Sequence, residues 1–224
     1  NTSSAAGATI KNSGAQIATG LAGTTEFHNT SDAGSAQFNN EGGLATQAPG
    51  GSVQFFDTST GGSANYTNGG AQTDGALGGS VNFHNSSRAG AGNYVNEGSA
   101  FNASAGGTAN FLDTSSAGST APGLVATFTN NGGSATGGLG GATVFFNSSS
   151  AASATFNNNA GTAPSAGPGM TVFQDTSNAG TLALPATFNN NGATLASIQG
   201  GFTQFSNSSS AGSAFINNNA AGVG

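Results

Sequence analysis

The chain has 224 residues with two basic and eight acidic side chains, a net charge of −6, 39 glycines, 16 phenylalanines and no cysteine. So few cations exclude an electrostatic nucleic-acid surface, the missing cysteines exclude disulfides, and no stretch approaches the ~20 apolar residues of a membrane-spanning helix. Abundant Gly, Asn, Ser and Thr beside scarce Leu, Glu and Lys also argue against helices.

Taken in chain order, the first anchor is Ile10, followed by a phrase beginning at Phe27 that returns at Phe55, Phe83, Phe111, Phe145, Phe173 and Phe205. The intervals are 28, 28, 28, 34, 28 and 32 residues. A second anchor column runs Ile10, Phe38, Tyr66, Tyr94, Phe128, Phe156, Phe188 and Ile216, which makes eight copies. Both departures from the 28-residue period arise at one corner, where TAPGLV (near 119–126) and LALP (near 181–186) are inserted. Each insertion contains a proline, as expected of a loop lengthening outside paired backbone. Around the anchors, polar and apolar residues alternate (Val53, Phe55, Asp57; Ala36, Phe38, Asn40), and a period of two means strand.

A 28-residue unit is too short for a four-stranded propeller blade and suits one turn of a solenoid. The predicted fold is all-β: a parallel β-solenoid (β-helix) of about eight coils in a single domain spanning 1–224. Each coil is expected to hold three short strands: a weak one after the Gly pair (Ala15 to Ile17, Leu195 to Ile198), one ending at the first Phe and one ending at the second anchor. Equivalent residues then lie about 4.8 Å apart along the rod, roughly 38 Å for eight coils, and each column becomes a ladder.

Two polar columns accompany the stacked Phe rings. Asn stands two residues beyond the second anchor in every copy, at Asn12, Asn40, Asn68, Asn96, Asn130, Asn158, Asn190 and Asn218. An inward Asn ladder can bond along the rod and satisfy turning backbone. The matching column after the first Phe alternates: Asn29, Asp57, Asn85, Asp113, Asn147, Asp175 and Asn207. It is read as a buried structural ladder in which Asn amides donate to the Asp above or below and no two carboxylates are neighbours. In the column next to the first Phe, Phe56, Leu112 and Phe146 should point outward and form a lateral interface.

Candidate chemistry is sparse. Glu26, Glu41, Glu97, Asp32 and Asp74 are scattered, while His28 and His84 stand two coils apart, so no catalytic, metal or cofactor site is assigned and the chain is not expected to be an enzyme. Calcium at the three column Asp positions would need several further oxygen ligands.

The phrase FxNxSxAGxAxFxNN resembles, across essentially the whole chain, the short repeats of large secreted bacterial surface proteins of the autotransporter and haemagglutinin-like type. The resemblance implies an extracellular or cell-surface β-solenoid in adhesion or surface structure, and it identifies no binding residue. The expected function is a structural subunit or segment of a surface fibre stacked head to tail with copies of itself. The alternatives are an adhesin or carbohydrate-binding rod contacting surface glycans, and after that an ice-binding solenoid, for which only Thr127 to Thr129 supplies a good Thr-x-Thr pair. No membrane insertion is expected. The chain starts at Asn1 with seven first strands against eight second strands, so both ends present sheet edges suited to such stacking.

Overall fold

The computed structural model describes residues 2–119, 123–194 and 198–221 and forms a parallel β-solenoid. No helix occurs among the described residues, so none is long and apolar enough to cross a membrane. The strands ending at the first Phe (Thr24–Phe27, Ser52–Phe55, Ser80–Phe83, Thr108–Phe111, Ala142–Phe145, Met170–Phe173 and Phe202–Phe205) form a seven-stranded sheet. Those carrying the second anchor (Thr9–Asn12, Gln37–Asn40, Asn65–Asn68, Asn93–Asn96, Thr127–Asn130, Thr155–Asn158, Thr187–Asn191 and Phe215–Asn219) form an eight-stranded sheet. Every pairing within these two sheets is parallel and in register with the repeat, Phe27 against Phe55 and Asn12 against Asn40.

The third parallel element of each coil lies elsewhere than expected. It is a column of single-residue bridges running Ser4, Asp32, Thr60, Arg88, Ser116, Ser150, Asn178 and Ser210, between the two Phe-bearing strands. The Ala15 to Ile17 segment is bend and turn instead, and Leu195–Ser197 lie outside the described residues. Close approach of corner glycines accounts for the turn. A methyl group at Gly79 or Gly107 would strike the carbonyl of Asn40 or Asn68, so the backbone wraps tightly over the Asn ladder before entering the next strand.

The core is thin and made of two aromatic ladders. Consecutive rings of the first Phe column stack 4.6–4.9 Å apart and within 11° of parallel, as the in-register pairing dictates. The second column, Phe38 through Tyr66, Tyr94, Phe128 and Phe156 to Phe188, stacks the same way. Across the core the ladders meet edge to face, with centroids 5.7–6.2 Å apart, which suits the ring quadrupoles. Small residues two positions before each anchor, such as Ala36, Ala64, Ala109 and Ala126, are fully buried and fill the gaps between rings.

The two tyrosines show local fitting. Tyr94 donates its hydroxyl to the Ala89 carbonyl at 2.7 Å and Tyr66 donates to the Gly61 carbonyl at 3.0 Å, so each buried phenol has an acceptor. Glycine replaces alanine at Gly61 and Gly92, where a methyl group would strike the Tyr94 hydroxyl or ring. The insertion of copy six leaves the solenoid as a two-stranded antiparallel hairpin, Gly180–Thr181 against Leu184–Pro185, and places Leu182 in solvent. The pairings of Asn93–Asn96 with Thr127–Asn130 and of Thr155–Asn158 with Thr187–Asn191 keep the repeat register across the two insertions.

Candidate functional site

The interior Asn column is a continuous hydrogen-bonded ladder. Each Nδ2 donates to the Oδ1 of the Asn one coil further on, at 2.8–2.9 Å, from Asn12 through Asn40, Asn68, Asn96, Asn130, Asn158 and Asn190 to Asn218. Asn40 through Asn158 are completely buried. All the amides point the same way along the rod, so the ladder has a direction. It is also tied across the core: Asn96 donates to the Ala142 carbonyl, while Thr143, Thr171 and Thr203 donate their hydroxyls to Asn130, Asn158 and Asn190. These four amides thereby link both sheets.

The other polar column differs from expectation. Asn29, Asp57, Asn85, Asp113, Asn147 and Asn207 are exposed and Asp175 is half-buried, so this ladder is at the surface and not in the core. All seven residues adopt φ between +52° and +58°, a left-handed turn that Asn and Asp tolerate best among non-glycine residues. The donors are mainly backbone N–H groups and not side-chain amides. Asn29 N–H donates to Asp57 Oδ2, Asp57 N–H to Asn85 Oδ1, Asn85 N–H to Asp113 Oδ2, Asp113 N–H to Asn147 Oδ1 and Asn147 N–H to Asp175 Oδ2, at 2.8–3.0 Å. The Asn85 amide reaches Asp113 only at 3.5 Å. Asn and Asp therefore perform the same acceptor task here.

Sequence reasoning missed a third ladder. Ser31, Ser59, Ser87, Ser115, Ser149 and Ser177 are buried four residues after each leading Phe. Ser59, Ser87, Ser149 and Ser177 donate to the carbonyl three residues back at 2.6–2.7 Å, closing the turn that the positive-φ residue opens. Its signal was available, since Ser occupies this position in all seven phrases. Ser115 Oγ is the buried side-chain polar atom without a partner among the described residues.

Phe56, Leu112 and Phe146 are half-buried beside the outer face of the seven-stranded sheet. Phe56 is stacked between His28 and His84, 4.8 Å from each ring. Burial, partly opposed by the Asp113 charge, holds the His84 imidazole below its ordinary pKa, and Gln54 lies 3.1 Å from its Nε2. Around Phe146 the outward positions are largely apolar (Val144, Met170, Val172, Phe202), whereas the strand before Leu112 presents Thr108 and Asn110 and earlier coils present Glu26, Gln54 and Asn82 there.

All eight carboxylates are engaged. Glu41 pairs with Lys11 at 2.8 Å, Glu26 meets His28 and Glu97 accepts from Asn131. Asp32 and Asp74 accept the backbone N–H groups of Gly34 and Asn102, and the three column Asp residues cap the corner. No three His, Asp or Glu side chains gather to hold a metal among the described residues. Arg88, the single arginine, lines a shallow groove of about 340 Å³ with Thr58, Thr60, Ser86, Gly90 and Ser119. Its side chain is exposed, and the ion pairs among the described residues are those of Lys11 and His28 only. Comparison with known protein families, with curated proteins and with solved structures found no match to the chain.

Proposed function

We propose that the chain is a structural, non-enzymatic subunit or segment of an extracellular surface fibre, assembled end to end with copies of itself through its coils. The observation that carries this reading is the single direction of the interior amide ladder. One end offers acceptors and the other donors, so each coil is a template for the next in one orientation, with the aromatic columns continuing in register. Stacking of this kind adds backbone hydrogen bonds and buries sheet edges without using charge, of which the chain has little. The repeat's resemblance to secreted bacterial autotransporter and haemagglutinin-like surface proteins supports the extracellular placement.

Electron microscopy of the purified protein tests the proposal. Rods longer than one chain, with an axial repeat of about 4.8 Å and assembly insensitive to salt, are expected. Phe215 already donates its N–H to Ala186 of the preceding coil, so the next residue of that strand, Ile216, turns its N–H toward the open side. Ile216→Pro should therefore stop elongation while the inner coils stay folded. A protein that stays monomeric at high concentration, or polymers packed side by side with free end coils, would sink the proposal.

The Arg88 groove favours a second reading, an adhesive rod that holds an acidic glycan. A fork of guanidinium donors suits a carboxylate or sulfate group, and the surrounding hydroxyls suit a sugar. Retention on an immobilised acidic polysaccharide, lost in Arg88→Gln, separates this reading from a purely structural one.

A further inference from the structure

The exposed corner column poses a question that capping alone does not answer. Asn and Asp accept the neighbouring coil's backbone N–H equally well there, at 3.0 Å in Asn85 and 2.8 Å in Asp57. An all-Asn column would close the corner without any charge, yet Asp57, Asp113 and Asp175 take every second coil from Asn29 onward. What distinguishes the two residue types is the amide nitrogen, which only Asn has.

Each described corner Asn begins an Asn-x-Ser triplet: Asn29-Thr30-Ser31, Asn85-Ser86-Ser87, Asn147-Ser148-Ser149 and Asn207-Ser208-Ser209. Asn-x-Ser/Thr is the acceptor pattern for N-linked glycosylation, which requires a surface turn. All four are exposed at turns. The Ser is the turn-closing residue of all seven phrases, the Asp coils included, so the coils differ only in whether an amide nitrogen precedes it; two positions beyond the eight interior Asn residues stands Gly in six copies and Ala in two. Asn65 and Asn102 begin similar triplets away from this row, and Asn1, outside the described residues, begins one too.

We propose that Asn29, Asn85, Asn147 and Asn207 are acceptor sites for N-linked sugars, forming a single row of glycans along one corner of the rod. Spacing fits the alternation. One coil is about 4.8 Å, narrower than a pyranose ring with its hydroxyls, whereas two coils give about 9.6 Å, room for one sugar at each Asn. Asp in the intervening coils keeps the corner capped while offering no nitrogen.

In the transfer, the donor is a sugar activated as a nucleotide- or lipid-linked pyrophosphate, supplied with a glycosyltransferase. Asn Nδ2 attacks the anomeric carbon; the N–C bond forms as the C–O bond to pyrophosphate breaks, and the displaced amide proton passes to a base of the transferase. Nothing is oxidised or reduced. In the closed coil Ser31 and Ser87 are buried and donate to the His28 and His84 carbonyls at 2.8 and 2.7 Å, so transfer precedes coil closure. Glycosylated Asn keeps its Oδ1, so Asn85 and Asn147 still accept from Asp57 and Asp113.

The test is the mass of the full chain purified from the cells that produce it, which reads glycosylation whether or not fibres form. Glycopeptide mapping, with enzymatic release in heavy-oxygen water converting each occupied Asn to labelled Asp, is expected to mark Asn29, Asn85, Asn147 and Asn207. Asn85→Gln should remove one glycan mass and leave the other three. A chain with the mass of its bare polypeptide overturns the proposal. So do sugars found only on hydroxyls, or at Asn65 or Asn102 with the corner row bare.

Discussion

Replacing Asn96 by Leu isolates the contribution of the amide ladder. Asn96 is completely buried; its Oδ1 accepts from Asn68, and its Nδ2 donates to Asn130 Oδ1 and to the Ala142 carbonyl. Leucine has the same branched skeleton with bulkier methyl groups in place of the amide atoms, so the change removes polar partners without opening a cavity. Asn130 Oδ1 keeps the Thr143 hydroxyl as a donor, but the Asn68 amide and the Ala142 carbonyl lose the bonds that Asn96 gave them. The Ala142 carbonyl keeps its ladder bond to the neighbouring strand, so the Asn68 amide is the buried group left unsatisfied, at a cost of about 1–3 kcal/mol. Denaturant titration followed by circular dichroism measures it, with Asn39→Leu on the exposed side of the same sheet as the control, expected to change stability by less than about 0.5 kcal/mol. Equal stability of the Asn96 and Asn39 variants would refute the assignment of the ladder as a stabilising element.

The same assay applies to the core. Phe83→Ala removes a completely buried ring stacked on Phe55 and Phe111 and should cost about 3–5 kcal/mol. Gly61→Ala should cost about 1–3 kcal/mol through collision with the Tyr94 hydroxyl and the Ala89 carbonyl, and adding Tyr94→Phe should recover only the hydroxyl's share, giving a positive coupling in a double-mutant cycle. Burial raises the pKa of Tyr66 and Tyr94 well above the ordinary tyrosine value, so the folded state holds those protons more tightly than the unfolded chain. Their contribution is therefore fully present below about pH 10 and is lost as pH rises further; melting temperature followed upward from pH 9 should fall more steeply in the parent than in the Tyr66→Phe, Tyr94→Phe double variant.

The aromatic and interior Asn columns could be read directly because parallel, in-register stacking turns an alignment column into a physical neighbour relation. Seven Phe at one position become six consecutive ring stacks with no further assumption. The third parallel element was hidden because it needs only one backbone bridge per coil. Ser4, Asp32 and Thr60 share at that position a side-chain oxygen that accepts the N–H two residues on, which is a turn signal and not a strand signal, and Arg88 lacks even that. Its pairing is a property of the backbone, which residue identity does not report.

The corner column failed for a different reason, and its charge was the overlooked clue. Asn40 lies two residues beyond Phe38 but still inside the strand Gln37–Asn40, so alternation carries it inward. Asp57 lies two residues beyond Phe55, where the strand has already ended, and a φ of +58° swings it outward. Extending the period of two past the strand end thus assigned the wrong face. A thin core with no cationic partner would hold three carboxylates only at several kcal/mol each. At an exposed left-handed turn the same three charges are solvated, and their oxygens close the corner by accepting N–H from the preceding coil. The coil thus has two chemically similar columns with opposite requirements: the buried one admits only the neutral amide, which both donates and accepts, whereas the exposed one needs only an acceptor. That difference leaves the exposed position free to alternate between Asn and Asp.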